Sequence, residues 1–237
     1  MDDLDLNPHR SPTAARPLLG LTILVVEDSR FACEAMRLLC LRSGARIRRA
    51  DCLASARRHL QVYRPSAVVI DLGLPDGSGT DLITELANTS PRIGVIIGTS
   101  GDDGARGRAM QAGADGFLDK PITRLAEFQE VILANLPIDR QPNGPRQIND
   151  DEVKPDPIAY RDDMAHAADL LGDDVDGQHL DYLAQFVSGV ARSAQDDQLA
   201  DAAGVLARSR NEGRPSRAEV ARLAGLVHDR LAERLAI

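Results

Sequence analysis

Carboxylate, hydroxyl and ammonium side chains stand at the ends of apolar runs in this 237-residue chain. Glu27 and Asp28 follow "ILVV", Asp71 ends "AVVID", Thr99 and Ser100 end "VIIGTS", and Lys120 ends "GFLDK". Three carboxylates brought to one place repel each other and lose solvation, which a counter-charge must offset. A hard divalent cation does this. Mg²⁺ takes oxygen ligands in an octahedral shell and keeps several waters, so two or three carboxylates plus a main-chain carbonyl suffice to hold it. Beside such a cation, Asp71 can act as a nucleophile toward a phosphoryl group and form an acyl phosphate. Lys120 then offers a mobile cation to the phosphoryl oxygens, and Thr99 a hydroxyl donor. Only two of the 28 basic residues are lysine, Lys120 and Lys154, so position 120 departs from the chain's general use of arginine.

These residues meet only if the elements that carry them lie side by side. From about residue 21 to 135, short apolar runs alternate with helical patterns. "LTILVV", "ARIRRA", "SAVVID", "RIGVIIG" and "DGFLDK" read as strands, the third and fourth apolar enough for burial on both faces of a parallel sheet. The segments between and after them repeat apolar residues at three and four, as in Met36, Leu39 and Cys40, or Leu125, Phe128, Ile132 and Leu136, which marks helices with one buried stripe. This alternation predicts an α/β fold, a doubly wound five-stranded parallel sheet whose site lies at the carboxyl ends of the strands. In the flavodoxin-like order 2-1-3-4-5, strands 1 and 3 are neighbours at the switch point, and the ends of strands 1, 3, 4 and 5 share one rim.

The remainder divides by composition. Residues 1–20 begin acidic and hold no apolar core of a leader peptide, so they read as a flexible tail, and no run approaches the ~20 apolar residues of a membrane-spanning helix. A cytoplasmic protein without membrane contact is the expectation. Cys33, Cys40 and Cys52 match no metal-ligand spacing and read as reduced, packed thiols. Residues 137–157, rich in Pro, Asn and Asp, read as a linker. Beyond it, amphipathic stretches at about 158–171, 177–193, 196–209 and 216–235 predict a small all-α bundle, with Leu180, Leu183, Val187 and Val190 as its clearest stripe.

Taken together, these motifs carry a family resemblance. Residues 21–136 resemble the receiver domain of two-component response regulators in the acidic pair Glu27-Asp28, Asp71 with Pro75 and Gly79 after it, Thr99 and Ser100, Phe117, and "QAGADGFLDKP" with Lys120-Pro121. The resemblance implies that Asp71 accepts a phosphoryl group from a sensor histidine kinase or phosphotransfer protein. It implies Mg²⁺ bound by Asp28, Asp71 and the main-chain carbonyl of Gly73, with Glu27 acting largely through water. It also implies a cis peptide at Pro121 and a switch made of Thr99 and Phe117, with Ser100 as the alternative hydroxyl. Gly73 and Gly101 leave two positions without side chains that in the family tune dephosphorylation. Such a protein is a signalling switch that catalyses only its own phosphorylation and dephosphorylation, not an enzyme acting on other substrates.

The output of residues 158–237 is open to two readings. Residues 151–237 hold 17 acidic and 10 basic residues, which suits a protein-interaction or dimerisation module bound to a downstream protein or a second copy of the chain. The alternative is a DNA-binding transcriptional regulator. "AEVARLAGLVHDRLAERL" faintly resembles a helix-turn-helix centred on Gly225, with Arg222, Arg230 and Arg234 toward phosphates, although a continuous helix explains the segment as well. His166 lies on a predicted helix, but Asp169 and Leu170 stand where a phosphotransfer motif would place Lys and Gly.

Overall fold

The computed structural model describes residues 11–144, 149, 151–172, 177–214 and 216–233. Its first part is a five-stranded, all-parallel sheet of β1 (Thr22–Val26), β2 (Arg46–Ala50), β3 (Ala67–Asp71), β6 (Val95–Ser100) and β7 (Gly116–Asp119), in the order β2-β1-β3-β6-β7. This is the expected doubly wound order. The last two strands are numbered six and seven because a short hairpin, β4 (Gly73–Leu74) with β5 (Gly77–Ser78), follows β3. β3 and β6 are buried along their whole length, as their apolar runs require, whereas the edge strand β2 exposes Arg46, Arg48 and Arg49.

The helices α1 (Arg30–Ser43) and α5 (Leu125–Ala134) cover one face of the sheet, and α2 (Leu53–Val62), α3 (Gly79–Asn88) and α4 (Ala105–Ala112) the other. Met36, Leu39, Phe128 and Ile132 pack with Val25 and Ile97 on the first side. Leu82, Ile83 and Phe117 pack with Leu24 and Ile70 on the second. Alternation along each strand supplies both faces from one run of residues.

Strand register then fixes the rim. Val26 lies beside Ile70, Asp71 beside Thr99, and Ser100 beside Asp119, so residues 27–28, 71, 99 and 120 leave the sheet at one level.

The second part is helical: α6 (Pro157–Gly172), α7 (Gly177–Ser193), α8 (Asp197–Asn211) and α9 (Arg217–Ala232). They share a core of their own that includes Met164, Leu183, Val187, Val190, Leu206 and Leu223. Among the described residues, no helix is long and apolar enough to cross a membrane.

Two local expectations change. The tail does not extend to residue 20, because Leu18 is fully buried with Cys40 and Phe128 in the sheet's first core; residues 1–10 lie outside the described residues. The linker is tied to the sheet domain: Val153 is buried in that same core, its N–H donates to the Thr123 carbonyl at 2.9 Å, and Glu152 bridges Arg124. Residues 145–148 and 150 of it are outside the described set. In the last segment α9 runs unbroken through Gly225, the continuous helix of the two readings of that stretch. Arg230, expected toward phosphates, instead pairs with Asp196 at 2.6 Å, and Arg234 lies outside the described residues.

Candidate functional site

At the rim, carboxylate oxygens of Glu27, Asp28 and Asp71 lie within 4.8 Å of one another. Lys120 Nζ sits among them, 2.8 Å from Glu27 Oε2 and 2.7 Å from Asp71 Oδ2. The group is withdrawn from solvent, with Glu27 3%, Asp71 7% and Lys120 9% exposed. One ammonium therefore faces three carboxylates in a buried site.

The electrostatic consequences follow. Burial raises the Glu27 carboxyl well above its ordinary range, with Lys120 pulling the other way. Burial and then the Asp71 charge push Asp28 up to about 7, partly offset by a hydrogen bond from Tyr182. For Lys120 burial acts to lower the value, but Asp71 and Glu27 together carry it well above the ordinary lysine range. An all-oxygen donor set carrying surplus negative charge is what a hard cation such as Mg²⁺ fits. Bound there, the cation would supply charge neutralisation to the oxygens of a phosphoryl group.

Local folding aims each side chain. The Gly73 N–H donates to Asp71 Oδ1 at 3.4 Å, and the Gly79 N–H to the Leu72 carbonyl at 3.0 Å, closing the hairpin under Asp71. Gly79 has no alternative there, since a Cβ would overlap the Asp71 carbonyl. The Lys120 N–H donates to the Ser100 carbonyl at 3.0 Å, and the Lys120–Pro121 peptide is cis. A second cis peptide joins Ser90 and Pro91.

The two hydroxyls differ. Ser100 Oγ accepts from the Asp102 N–H at 3.2 Å, whereas Thr99 Oγ1 is buried with no hydrogen-bond partner among the described residues. An unsatisfied buried hydroxyl costs about 1–3 kcal/mol. Of the two hydroxyls, Thr99 is thus the one without a partner among the described residues. Phe117 is buried, with the Arg106 guanidinium 5.2 Å from its ring centroid.

Sequence reasoning missed the residues that come from the helical part. Tyr182 Oη donates to Asp28 Oδ2 at 2.7 Å. Gln185 occupies the space beside Gly73 that a side chain there would fill, and Arg192 does the same at Gly101 while donating to the Gly101 carbonyl. A Cβ on Gly189 would lie 3.7 Å from Lys120 Nζ. From α6, Asp163 accepts from Ser29 Oγ at 2.7 Å and from the N–H groups of Arg30 and Phe31 at 2.8 and 3.0 Å. The available signal was spacing: Tyr182, Gln185, Gly189 and Arg192 recur at three and four, a second stripe on α7 beside its apolar one.

Residues 23–132 match the family model described as the response regulator receiver domain. The KDP operon transcriptional regulatory protein KdpE of Escherichia coli (strain K12) is 29% identical over 99 residues, 42% of this chain and 44% of that protein. A putative response regulator from Chloroflexus aurantiacus J-10-fl is 27% identical, covering 48% of this chain and 98% of that one, with a TM-score of 0.45. The receiver domain of the sensor histidine kinase PA1611 from Pseudomonas aeruginosa PAO1, whose structure has a magnesium ion coordinated in the active site cleft, is 25% identical. It covers 48% of this chain and 96% of that one, with a TM-score of 0.44. The chain spans about half the length of the curated relatives it matches. Its N-terminal part is a response regulator receiver domain, followed by a helical region of unassigned family.

Proposed function

We propose that this chain is a phosphorylation-controlled switch in which Asp71 accepts a phosphoryl group from the phosphohistidine of a sensor kinase or phosphotransfer protein. The observation that carries the reading is the placement of Asp71 Oδ2 2.7 Å from Lys120 Nζ, within the cluster of Glu27, Asp28 and Asp71. In the transfer, an Asp71 oxygen forms a bond to phosphorus as the donor's P–N bond breaks, and the imidazole leaves with the electron pair and takes up a proton from water. Lys120 moves from pairing carboxylates to pairing the phosphoryl oxygens, and Thr99 Oγ1 gives its unused hydroxyl to one of them. Asp28 and Asp71, with the Gly73 carbonyl, would hold Mg²⁺, and Glu27 would act on it from further out.

Residues 21–136 form the switching domain in this reading, 137–157 the connection, and 158–237 the output, which is a protein-interaction or dimerisation module. A downstream protein or a second copy of the chain is its partner. The unbroken α9 and the Arg230–Asp196 pair favour this over DNA binding. Incubation with acetyl phosphate and Mg²⁺ should add one phosphoryl group to the wild-type protein and none to Asp71→Asn. Equal labelling of both would refute the assignment.

A further inference from the structure

We propose that the helical region is an intramolecular lid on the phosphoacceptor site, with α7 seated across the receiver rim. Docking of the lid and occupation of the site by cation and phosphoryl group then oppose each other. The proposal rests on the reading of Asp71 as phosphoacceptor, and it adds how that site is regulated and by which residues.

The first support is the two-sidedness of α7. Leu183, Phe186, Val187 and Val190 are buried in the bundle core. Its other stripe meets the rim at four successive points: Tyr182 at Asp28, Gln185 at Gly73, Gly189 near Lys120, and Arg192 at Gly101. The receiver side matches it. Gly73 and Gly101 have no side chains, and at both places α7 side chains occupy the room a Cβ would take.

A second support comes from α6. Asp163 is 2% exposed, and its carboxylate takes three donors from the start of α1: the Ser29 hydroxyl and the N–H groups of Arg30 and Phe31. These amides are among the unpaired donors of a helix's first turn, so a carboxylate from the helical region completes the cap of a receiver helix. The turn so capped begins one residue after Asp28. Arg30 adds an exposed pair with Asp162 at 2.7 Å.

Space is the third. A cleft of about 930 Å³ between the two parts is lined by Glu27, Asp28, Arg49, His166 and Tyr182 among others, but Asp71 and Lys120 are not in its wall. Nor does Asp71, 7% exposed, line the small hollow that Lys120 and Glu27 share with Ser193 of α7. Solvent and small cations thus reach Asp28 from the side, while Gln185 and Arg192 of α7 lie over Gly73 and Gly101 next to Asp71 and Thr99.

Opposition follows from shared atoms. Tyr182 uses an Asp28 lone pair that a cation draws on, and a phosphoryl group on Asp71 needs the space that α7 closes. A ligand shifts such an equilibrium only by its differential affinity for the two states, and here the undocked state is the one able to take it.

The test uses the full chain with Mg²⁺ and beryllofluoride, a phosphoryl stand-in, reading bound fluoride by ¹⁹F NMR and backbone amides by hydrogen exchange. Bound fluoride should be accompanied by about tenfold or greater acceleration of exchange at Arg30, Phe31 and the rim-facing turns of α7. In parallel, Gln185→Ala and the combined Tyr182→Phe, Gln185→Ala, Arg192→Ala variant should lower the half-saturating beryllofluoride concentration, the triple variant by about tenfold. Tyr182 packs at the edge of the bundle core, and Gln185 is exposed, so the single Gln185 variant keeps the test open if the triple one misfolds. Fluoride bound only by the variants also supports the lid. Bound fluoride with unchanged or slower exchange, and unchanged half-saturation in folded variants, overturns the lid while leaving the phosphoacceptor intact. Absence of bound fluoride in every form overturns the phosphoacceptor reading and the lid with it.

Discussion

The Tyr182 hydroxyl donates to Asp28 Oδ2 at 2.7 Å across a sequence separation of 154 residues, and it lands on a carboxylate already crowded by Asp71. Asp28→Asn keeps an oxygen for Tyr182 and removes the repulsion. The metal-free variant should therefore be more stable than wild type by about 1–2 kcal/mol, as expected where a strained functional group is neutralised. Its stabilisation by Mg²⁺ should disappear. Thermal unfolding with and without Mg²⁺ reads both effects, and a less stable Asp28→Asn that still responds to Mg²⁺ contradicts this account of the site.

Gly79→Ala should be among the most damaging single-methyl changes in the receiver. The added Cβ overlaps the Asp71 carbonyl, which is backbone and cannot rotate away. A loss of about 3 kcal/mol or more is expected, since overpacking against a fixed group forces the hairpin to shift. Gly107→Ala is the control: it lies in α4 with nothing within 4 Å of its Cβ, and should gain up to about 1 kcal/mol from helix propensity. Urea unfolding of the pair should give effects of opposite sign.

Asp163→Ala removes three hydrogen bonds that cross from α6 to the start of α1. About 2 kcal/mol of stability should be lost, in the range of a deleted cap with a buried donor left unpaired. The loss should be local, with amide exchange rising at Arg30 and Phe31 before the sheet. Asp163→Asn, which keeps one accepting oxygen, should fall between the two.

The sheet and its rim were legible because both depend on short-range pattern. Strands β3 and β6 announce themselves as apolar runs, and once their order is 2-1-3 the register carries Glu27, Asp28, Asp71 and Lys120 to one place. What was not legible depends on docking between distant segments. Nothing local marks Asp163 as a cap for α1, because Ser29 already supplies an N-cap by accepting from the Ala32 N–H. Tyr182 reads as one more residue beside an apolar stripe until the rim is in place to receive it. Leu18 and Val153 illustrate the same limit: single apolar residues in irregular segments have no period, and only the core that accepts them gives them meaning.

The helical region has its own electrostatic fastening, and it predicts a pH response. Asp196 accepts from the Leu199 N–H at 3.1 Å as the cap of α8, from Tyr160 Oη of α6 at 2.9 Å, and pairs with Arg230 of α9 at 2.6 Å. Burial works to raise its carboxyl, but Arg230, the Leu199 amide and Tyr160 outweigh it, and the value in the folded chain lies below the ordinary one. A carboxyl depressed by folding stabilises the native state above its unfolded value, about 3.9, and that contribution is lost as pH falls through the folded value. The bundle should therefore loosen in acid below about pH 4, with α6, α8 and α9 gaining exchange together. Asp196→Asn should flatten this acid limb and cost about 1 kcal/mol at neutral pH, a modest figure because the pair is partly screened by solvent. Denaturant unfolding from pH 3 to 7, followed by segment-resolved hydrogen exchange, measures both. An acid limb equally steep in the variant would place the sensitivity on another group.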